Sequence, residues 1–456
     1  MEKYDVIVIG TGSGMLIVEE AVSHGLKVAV VDKGPLLGGT CLNSGCIPSK
    51  MLIYPADKIA EIQETKKLGI EVEIKNIDFN SIMKRMRQSI QEYQRHVREG
   101  ITQSEDFAFY EGNGHFVADY TIEVNGKRIK GEKIFIASGS RPFIPPIKGV
   151  DGIDYLTNET VLQLKERPES IIIIGGGFIA VEFGHFFAAM GTRVTILEMA
   201  DRLVLAAEPE MSDLLEKELS KRMAVHTNSL AEEIKSDGNS SIVVVKDRNT
   251  GRKRTFTAQR IMLAVGRRSN ADLLKVENTG VETDARGFIK VNDYLETSKK
   301  NIFAVGDANG QQMFTHVANR EAAVAGYNAL HDEELKMDYS AIPNAVYSHP
   351  QIASVGLTEE NARKDHKILV GRAKYLEVAK GEAMMEQKGF AKAIVEEDSE
   401  IILGFHIIGP YAPILIQEVI NAMASGGHME DISESIHIHP ALPELIQTTL
   451  SNLEKL

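Results

Sequence analysis

The chain contains 456 residues, of which 43% are hydrophobic and 25% are charged, and its formal net charge at pH 7 is −13. A length of this order predicts about three or four domains, and the negative charge argues against binding to nucleic acids or to anionic membranes. With two cysteines and scattered histidines the sequence lacks a zinc-site pattern, so no metal is expected.

The N-terminal segment, DVIVIGTGSGMLIVEEAVSHGLKVAVVDKG, predicts a strand, a glycine turn, a helix and a second strand. Gly10 would make the tight turn, Gly12 would let the backbone approach a pyrophosphate, and Asp32 would accept hydrogen bonds from a ribose. The free N–H groups and positive dipole end of the helix favour the same anion. Met15 occupies the place of the third glycine, with Gly14 before it, so we expect a small local shift in the helix–strand packing.

Cys41 and Cys46 are the only two cysteines of the chain, and both lie in GGTCLNSGCIPSK. A disulfide that closes so short a loop stabilises a fold little, so the pair is predicted to be a working dithiol. Pro48 suits the first turn of a helix, whose N-terminus would lower a thiol pKa. The sequence shows no basic leader and no apolar run of the roughly 18 residues that span a bilayer. We therefore expect a cytoplasmic, reducing environment, where disulfides are more often catalytic than structural.

A second copy of the glycine signature follows later, in SIIIIGGGFIAVEFGHFFAAMGTRVTILEMADR. Gly175, Gly177 and Ala180 occupy its turn, and Glu198 ends its second strand. A single glycine fingerprint is weak evidence, whereas two complete strand–helix–strand copies strongly predict two dinucleotide sites.

Returning strands are predicted in KIFIASGSRP and RIMLAVGRRSN, which contain Gly139 and Gly266. The segment NIFAVGDANG predicts a further strand that ends at Asp307. From about residue 343 the chain carries no nucleotide signature, which predicts a separate α+β domain.

Near the C-terminus, His439 is followed five residues later by Glu444 in HIHPALPE. A carboxylate on one imidazole nitrogen fixes the tautomer and raises the basicity, which leaves the other nitrogen to move protons. Dithiol–disulfide exchange needs such a group, because the attacking sulfur is a thiolate and the leaving sulfur takes up a proton.

In these motifs, in order along essentially the whole chain, the sequence resembles the flavoprotein pyridine nucleotide-disulfide oxidoreductases. The resemblance implies an α/β fold with two Rossmann-like domains, for FAD and NAD, and a C-terminal α+β dimerisation domain of an obligate homodimer. The implied boundaries are 1–150 for the first part of the FAD domain, 151–270 for the NAD domain, 271–342 for the second part of the FAD domain and 343–456 for the interface domain.

The resemblance also implies a role for each candidate residue. The implied catalytic residues are Cys41, Cys46, Lys50, Glu182, His439 and Glu444. FAD would contact Gly10, Gly12, Gly14, Asp32, Lys33, Thr40, Gly139 and Asp307. NAD would contact Gly175, Gly177, Phe178, Ala180, Glu198 and Gly266. Within the catalytic set, Cys46 would lie against the flavin as a thiolate, Cys41 would exchange with substrate, and Lys50 would pair with Glu182 near the flavin.

The coenzyme is predicted from Glu198, which suits the ribose diol of NAD and would repel the 2′-phosphate of NADP. Met199 and Leu205 are apolar where the NADPH-dependent glutathione reductases have arginines. NAD favours a dihydrolipoyl dehydrogenase, in which electrons from a lipoyl dithiol pass through the Cys41–Cys46 disulfide and FAD to NAD⁺. A lipoyl-bearing acyltransferase would then be a partner.

Other motifs of the sequence favour an alternative to a dihydrolipoyl dehydrogenase. GGGFIAVEFGHFF, SHPQIASVG and IHPALPE look closer to the mycothione reductases, which use NADPH to reduce a small soluble disulfide. An NAD(P)H-dependent reductase of small disulfides, similar to mycothione or glutathione reductase, therefore stays open. Since the chain has no further cysteine, electron relay to a bulky protein or a metal ion is not expected. A non-catalytic FAD-binding scaffold and a flavin oxidase or transhydrogenase that works without the dithiol are the remaining alternatives.

Overall fold

The computed structural model describes residues 1–331 and 333–455, which divide into two compact units. The first unit contains residues 1–49, 84–143 and 266–338. The second unit contains residues 50–83, 144–265 and 339–456, of which residue 456 is outside the described ranges. None of the helices in the described ranges is long and apolar enough to cross a membrane. The boundaries at 150, 270 and 342 inferred from the sequence stay predictions.

The helices, in chain order, are α1 (Gly14–Ser23), α2 (Gly39–Ser44), α3 (Cys46–Glu64), α4 (Phe79–Thr102), α5 (Phe178–Ala189), α6 (Pro209–Leu219), α7 (Ala271–Leu274), α8 (Thr315–Leu330), α9 (Glu359–Asp365), α10 (Ala379–Ala383), α11 (Ala412–Ala424), α12 (Glu430–Ser433) and α13 (Glu444–Ser451).

The strands are β1 (Glu2–Ile9), β2 (Val28–Asp32), β3 (Phe107–Glu111), β4 (His115–Ala118), β5 (Thr121–Val124), β6 (Lys127–Ile136), β7 (Ser140–Pro142), β8 (Ser170–Ile174), β9 (Arg193–Leu197), β10 (Ala224–His226), β11 (Ser229–Asp237), β12 (Ser240–Asp247), β13 (Lys253–Ala258), β14 (Arg260–Leu263), β15 (Arg267–Ser269), β16 (Ile302–Ala304), β17 (Pro343–Val346), β18 (Ile352–Gly356), β19 (Ile368–Lys374), β20 (Phe390–Glu396), β21 (Ile402–Ile408) and β22 (Glu454–Lys455).

The first unit is built on a sheet of order β3-β2-β1-β6-β5-β4, with β16 also paired to β6. The pairs β1–β2, β2–β3, β1–β6 and β6–β16 are parallel. The strands β1 and β2 read as near-continuous apolar runs, as expected for parallel strands covered on both faces. Parallel pairing brings the C-terminal ends of β1, β2, β6 and β16 to one edge of the sheet, which is where ligands bind in such folds.

The second unit contains three sheets. A parallel sheet has the order β10-β9-β8-β14, an antiparallel sheet has the order β11-β12-β13, and a six-stranded antiparallel sheet has the order β17-β18-β21-β20-β19-β22. The isoleucine run of β8 is buried between α5 and the other strands, whereas α11 and α13 pack on the six-stranded sheet. These features confirm the predicted class: an α/β fold with two Rossmann-like parts and a C-terminal α+β part.

Candidate functional site

The first glycine turn joins β1 to α1 in the first unit. Gly10 has φ +110°, and a Cβ there would lie 2.3 Å from the carbonyl oxygen of Ala137, so only glycine fits. A Cβ at Gly14 would lie 2.8 Å from Val8 Cγ1. The close helix–strand approach is therefore made by Gly14, one position before Met15.

Asp32 holds this turn to the end of β2. Its Oδ2 accepts hydrogen bonds from Thr11 N at 2.9 Å and Thr11 Oγ1 at 2.7 Å, and its Oδ1 accepts from Gly34 N at 3.0 Å. The Thr11 hydroxyl accepts in turn from Gly38 N at 2.9 Å. The segment before the cysteines is thus bonded directly to the glycine turn, and Gly39 lies so close to Gly12 that its Cβ would be 2.8 Å from Gly12 Cα.

The other residues predicted to contact FAD lie around the same edge of the sheet. Gly139 follows β6, has φ +65° and has no atom within 4 Å of the place its Cβ would take. Asp307 follows β16, accepts from Ser140 Oγ at 2.5 Å and lies 3.5 Å from Arg267 Nε. Lys33 is exposed and Thr40 is half-buried in α2. Open glycine backbone, a helix N-terminus and fixed carboxylates at one sheet edge fit a dinucleotide such as FAD.

The two cysteines lie on different helices. Cys41 belongs to α2 and Cys46 begins α3, and between them a Cβ at Gly45 would lie 2.9 Å from the Thr40 carbonyl oxygen. Both are present as thiols, and Cys46 Sγ lies 3.5 Å from Thr315 Oγ1. No motif in the sequence indicated Thr315, which lies 269 residues from Cys46 at the start of α8.

The two thiols are not equivalent. The interaction with the Cys46 thiol, and then burial, raises the pKa of Cys41, which a hydrogen bond with Thr315 only partly offsets. Cys46 is the first residue of α3, where the positive end of the helix dipole favours a negative charge. The assignment of the thiolate to Cys46, which the family resemblance implies, stays a prediction.

In the second unit, Lys50 of α3 pairs with Glu182 of α5. Lys50 Nζ lies 3.0 Å from Glu182 Oε1 and 2.8 Å from Oε2, and the glutamate side chain is only 7% exposed. Glu182 also accepts from Tyr347 N at 3.0 Å, and the Lys50 ammonium lies 4.6 Å from the centre of the Tyr347 ring. The lysine is thus fixed by a carboxylate and an aromatic face.

A second polar link joins the same two helices. The fully buried His185 of α5 donates from Nε2 to Asp57 Oδ1 of α3 at 2.9 Å, and its Nδ1 accepts from Arg222 Nη1 at 2.9 Å. Burial lowers the pKa of His185, so the ring is neutral. Sequence reasoning missed this group, although Glu182 and His185 are three residues apart and so share a helix face.

His439 and Glu444 form a pair at the start of α13. His439 Nδ1 lies 2.8 Å from Glu444 Oε1, and Ala441 N donates to Glu444 Oε2 at 2.9 Å. The hydrogen bond with His439 is the main cause that lowers the pKa of Glu444. Since Nδ1 donates to the carboxylate, Nε2 carries the lone pair, and the His439 side chain is 71% exposed. The neighbouring His437 pairs instead with Glu418 of α11, at 2.9 Å.

The second glycine turn joins β8 to α5. Gly175 has φ +117° and a Cβ there would lie 2.3 Å from the Ala264 carbonyl oxygen, whereas a Cβ at Gly177 would meet nothing within 4 Å. Phe178 begins α5 and Ala180 is fully buried in its first turn. The backbone at Gly177 is therefore open beside a helix N-terminus, which fits a pyrophosphate.

Glu198 follows β9 and is half-buried, and its Oε1 accepts from Ala200 N at 2.6 Å. Met199 and Leu205 are exposed. Arg248 Nη1 donates to the Met199 carbonyl oxygen at 2.9 Å, which places a cation near the acid that the sequence did not indicate. The last residue predicted to contact NAD, Gly266, belongs to the first unit, where its carbonyl accepts from Phe143 N.

Comparisons with known proteins cover nearly the whole chain. The family described as "Pyridine nucleotide-disulphide oxidoreductase" matches residues 4–322, and its "dimerisation domain" matches residues 342–450. Mycothione reductase of Mycobacterium tuberculosis is 34% identical over 99% of this chain and 100% of its own length. Dihydrolipoyl dehydrogenase of Geobacillus stearothermophilus is 36% identical over 97% of this chain and 94% of its own length.

Among solved structures, the HOCl-induced flavoprotein disulfide reductase RclA from Escherichia coli, in a Cu(II) complex, superposes with a TM-score of 0.87 at 26% identity. The superposition covers 99% of each chain.

Proposed function

The chain belongs to the pyridine nucleotide-disulphide oxidoreductase family, and we propose that within it the protein is a dihydrolipoyl dehydrogenase that uses NAD⁺. Enzymes of this family bind FAD and use a nicotinamide coenzyme, and the dimerisation domain indicates a homodimer. Our proposal comprises the lipoyl substrate and NAD⁺ as coenzyme. It also comprises a cytoplasmic location and a lipoyl-bearing acyltransferase as partner.

The observation that carries the coenzyme choice is Glu198 at the end of β9. A carboxylate there accepts hydrogen bonds from a ribose diol and repels a 2′-phosphate. The exposed side chains of Met199 and Leu205 add no positive charge beside it.

The chemistry assigned to the chain's own residues is dithiol–disulfide exchange. The Cys41 sulfur forms a mixed disulfide with one sulfur of the substrate, while the Cys46 sulfur is released as a thiolate. The second substrate thiolate then displaces Cys41 from that mixed disulfide, so that the substrate leaves oxidised and the protein pair is reduced. Bound FAD supplies the exchange of two electrons between this dithiol and the nicotinamide.

His439 is assigned the proton transfers of that exchange. Its Nε2 takes the proton from the attacking substrate thiol, and Glu444 orients the ring and stabilises the imidazolium that results. In the homodimer we assign His439 to the dithiol of the partner subunit. The Lys50–Glu182 pair is assigned the positioning of positive charge beside the flavin.

A second candidate is a reductase of a small soluble disulfide that uses NADPH. It is favoured by the full-length similarity to mycothione reductase and by Arg248, which lies at the carbonyl of Met199, next to Glu198. An arginine at that place could neutralise a 2′-phosphate.

The two candidates are separated by steady-state kinetics on one holoenzyme preparation. We expect kcat/KM for dihydrolipoamide to be higher with NAD⁺ than with NADP⁺, and to exceed NADPH-driven turnover of small disulfides. A strong preference for NADPH, with turnover of a low-molecular-weight disulfide, contradicts the proposal and favours the second candidate. Glu198→Ala should narrow the preference for NAD⁺, because it removes the charge that rejects the phosphate.

A further inference from the structure

Glu20, His24 and His331 form a cluster at one end of the first unit. One possible metal-ligand atom from each residue lies within 4.8 Å of the other two. Within residues 1–331 and 333–455, this is the one group of three or more His, Cys, Asp or Glu side chains that meets this spacing. The cluster involves none of the residues assigned to dinucleotide binding or to thiol exchange.

The two histidines are held in the same way. Each ends its helix, His24 after α1 and His331 after α8, and each Nδ1 bonds to the carbonyl oxygen four residues earlier, at 2.9 Å and 3.1 Å. Because a carbonyl oxygen only accepts, Nδ1 carries the proton and Nε2 carries the lone pair. Metal-binding histidines are oriented by this kind of bond. The His331 ring is also stacked on Tyr327, with the ring centres 4.1 Å apart.

The helices that carry the cluster run side by side in the same direction. Ser13 Oγ donates to Asn319 Oδ1 at 2.7 Å near their N-terminal ends, and the rings of His24 and His331 are 5.3 Å apart at their C-terminal ends. Both helices therefore direct the negative ends of their dipoles toward the cluster, which favours a cation there. Glu20 adds a carboxylate, with Oε1 3.8 Å from His24 Nδ1.

We propose that Glu20, His24 and His331 bind a divalent transition-metal ion such as Zn²⁺. Two imidazoles and one carboxylate are a known three-ligand set for zinc, with water in the fourth position. Tetrahedral ligands lie roughly 3–3.5 Å apart, so side chains within 4.8 Å of one another need only a small closure. The side chains of Glu20 and His24 are 43% and 38% exposed, which leaves them free to close and open to entry of the ion.

The position of the Glu20–His24–His331 cluster indicates a structural role for the bound ion. The helix α1 has ten residues, so the cluster lies about 15 Å from the glycine turn at the other end of that helix. The ion would therefore join the C-terminal ends of α1 and α8 and stabilise the first unit, without taking part in thiol exchange. An ion that binds only the folded protein raises the temperature of unfolding.

The test is a titration of the oxidised holoenzyme with Zn²⁺, since the Cys41–Cys46 disulfide cannot compete for the ion. His24→Ala and His331→Ala should each lose one Zn²⁺ per chain relative to the wild type, and Glu20→Gln should weaken binding at the same site at least about tenfold. The matched control is His366→Ala, because His366 pairs with Glu396 at 2.6 Å but has no third ligand beside it among the described residues.

The spectrum of bound Cu²⁺ provides an independent readout of the ligands. We expect electron paramagnetic resonance of bound Cu²⁺ to show coupling to two imidazole nitrogens in the wild type and to one in His331→Ala. In a separate thermal-unfolding measurement, Zn²⁺ should raise the midpoint of the wild type but not that of His24→Ala. Equal Zn²⁺ stoichiometry and affinity in the wild type, His24→Ala and His331→Ala, or the same loss in His366→Ala, would overturn the proposal.

Discussion

Asp57 accepts a hydrogen bond at 2.9 Å from the fully buried His185, which joins α3 to α5 at a second point beyond the pair of Lys50 with Glu182. Asp57 lies seven residues after Lys50 on α3, and His185 lies three residues after Glu182 on α5. Both links therefore form along the same pair of helix faces. The neutral His185 ring is fixed from its other side by Arg222, so the position of α5 relative to α3 is determined by polar contacts as well as by packing.

His185→Ala should lower the stability of the second unit. The substitution leaves Asp57 and Arg222 without the buried partner that each contacts, which typically costs about 1–3 kcal/mol of the free energy of unfolding. Urea denaturation of the wild type and the variant measures this cost. The control is His366→Ala, since the His366–Glu396 pair is about 30% exposed and should cost less than about 1 kcal/mol. Equal losses in the two variants would contradict the structural role of His185.

Glu182→Gln should slow reduction of the flavin by NADH by at least about tenfold, a change of about 1.4 kcal/mol in the barrier. The amide still accepts from Tyr347 N but no longer neutralises the Lys50 ammonium. Anaerobic stopped-flow absorbance measures this half-reaction. Glu61→Gln is the control, because Glu61 pairs with Lys58 on the exposed face of α3, the helix that carries Lys50. Loss of the Glu61 charge should leave the rate of flavin reduction unchanged. A normal rate in Glu182→Gln would refute the assigned role of the pair.

Glu444→Ala should slow thiol exchange by about a hundredfold, within the usual range for general acid–base catalysis, while NADH still reduces the flavin at nearly the wild-type rate. The alanine leaves His439 without the carboxylate that fixes its tautomer. The two half-reactions are measured separately by rapid mixing. Glu418→Ala is the control, because Glu418 Oε1 lies 2.9 Å from Nε2 of His437, which is two residues from His439. Equal loss of both half-reactions in Glu444→Ala would be inconsistent with a role in proton transfer.

Stability should fall in acid because two glutamates in the second unit have pKa values well below the ordinary value. The hydrogen bond with His349 lowers the pKa of Glu64 from 4.5 to about 2, and the pair with Arg372 does the same for Glu210. A carboxyl group with a lowered folded-state pKa stabilises the fold above its unfolded pKa and loses that contribution as the pH falls through the folded value. The thermal midpoint should therefore drop between pH 4.5 and about 2.

The variant Glu64→Gln tests the source of that drop. It should be less stable than the wild type at pH 7 and should show a smaller loss between pH 4.5 and 2, since one of the two linked protonations is gone. An unchanged pH profile would assign the acid sensitivity to other groups.

The local motifs of the sequence predicted the strand–turn–helix geometry of both glycine turns. The positions of Gly10 with Asp32, and of Gly175 with Glu198, follow from strand–turn–helix patterns of about 30 residues, in which spacing determines geometry. The structure brings Gly14, one position before Met15, against Val8, and the local shift expected from Met15 stays a prediction.

Contacts between distant segments were not predictable in the same way. Thr315 lies beside Cys46 and His185 lies beside Asp57, but these pairs are separated by 269 and 128 residues. No periodic pattern links such residues, so only the three-dimensional fold reveals that they meet. The Lys50–Glu182 pair, which is separated by 132 residues, was anticipated only through the family resemblance.

The most direct test of the central assignment is an anaerobic titration of the holoenzyme with NADH, followed by absorbance at long wavelength. A charge-transfer band should form in the wild type as NADH is added, because NADH reduces the disulfide. Cys41→Ser should show the band before NADH is added, because its Cys46 thiol is already reduced and is assigned the thiolate, and Cys46→Ser should show no band. The band should also appear with far less NADH than NADPH. Loss of the band in Cys41→Ser with its retention in Cys46→Ser, or its absence from the wild type, would contradict the assignment of the dithiol.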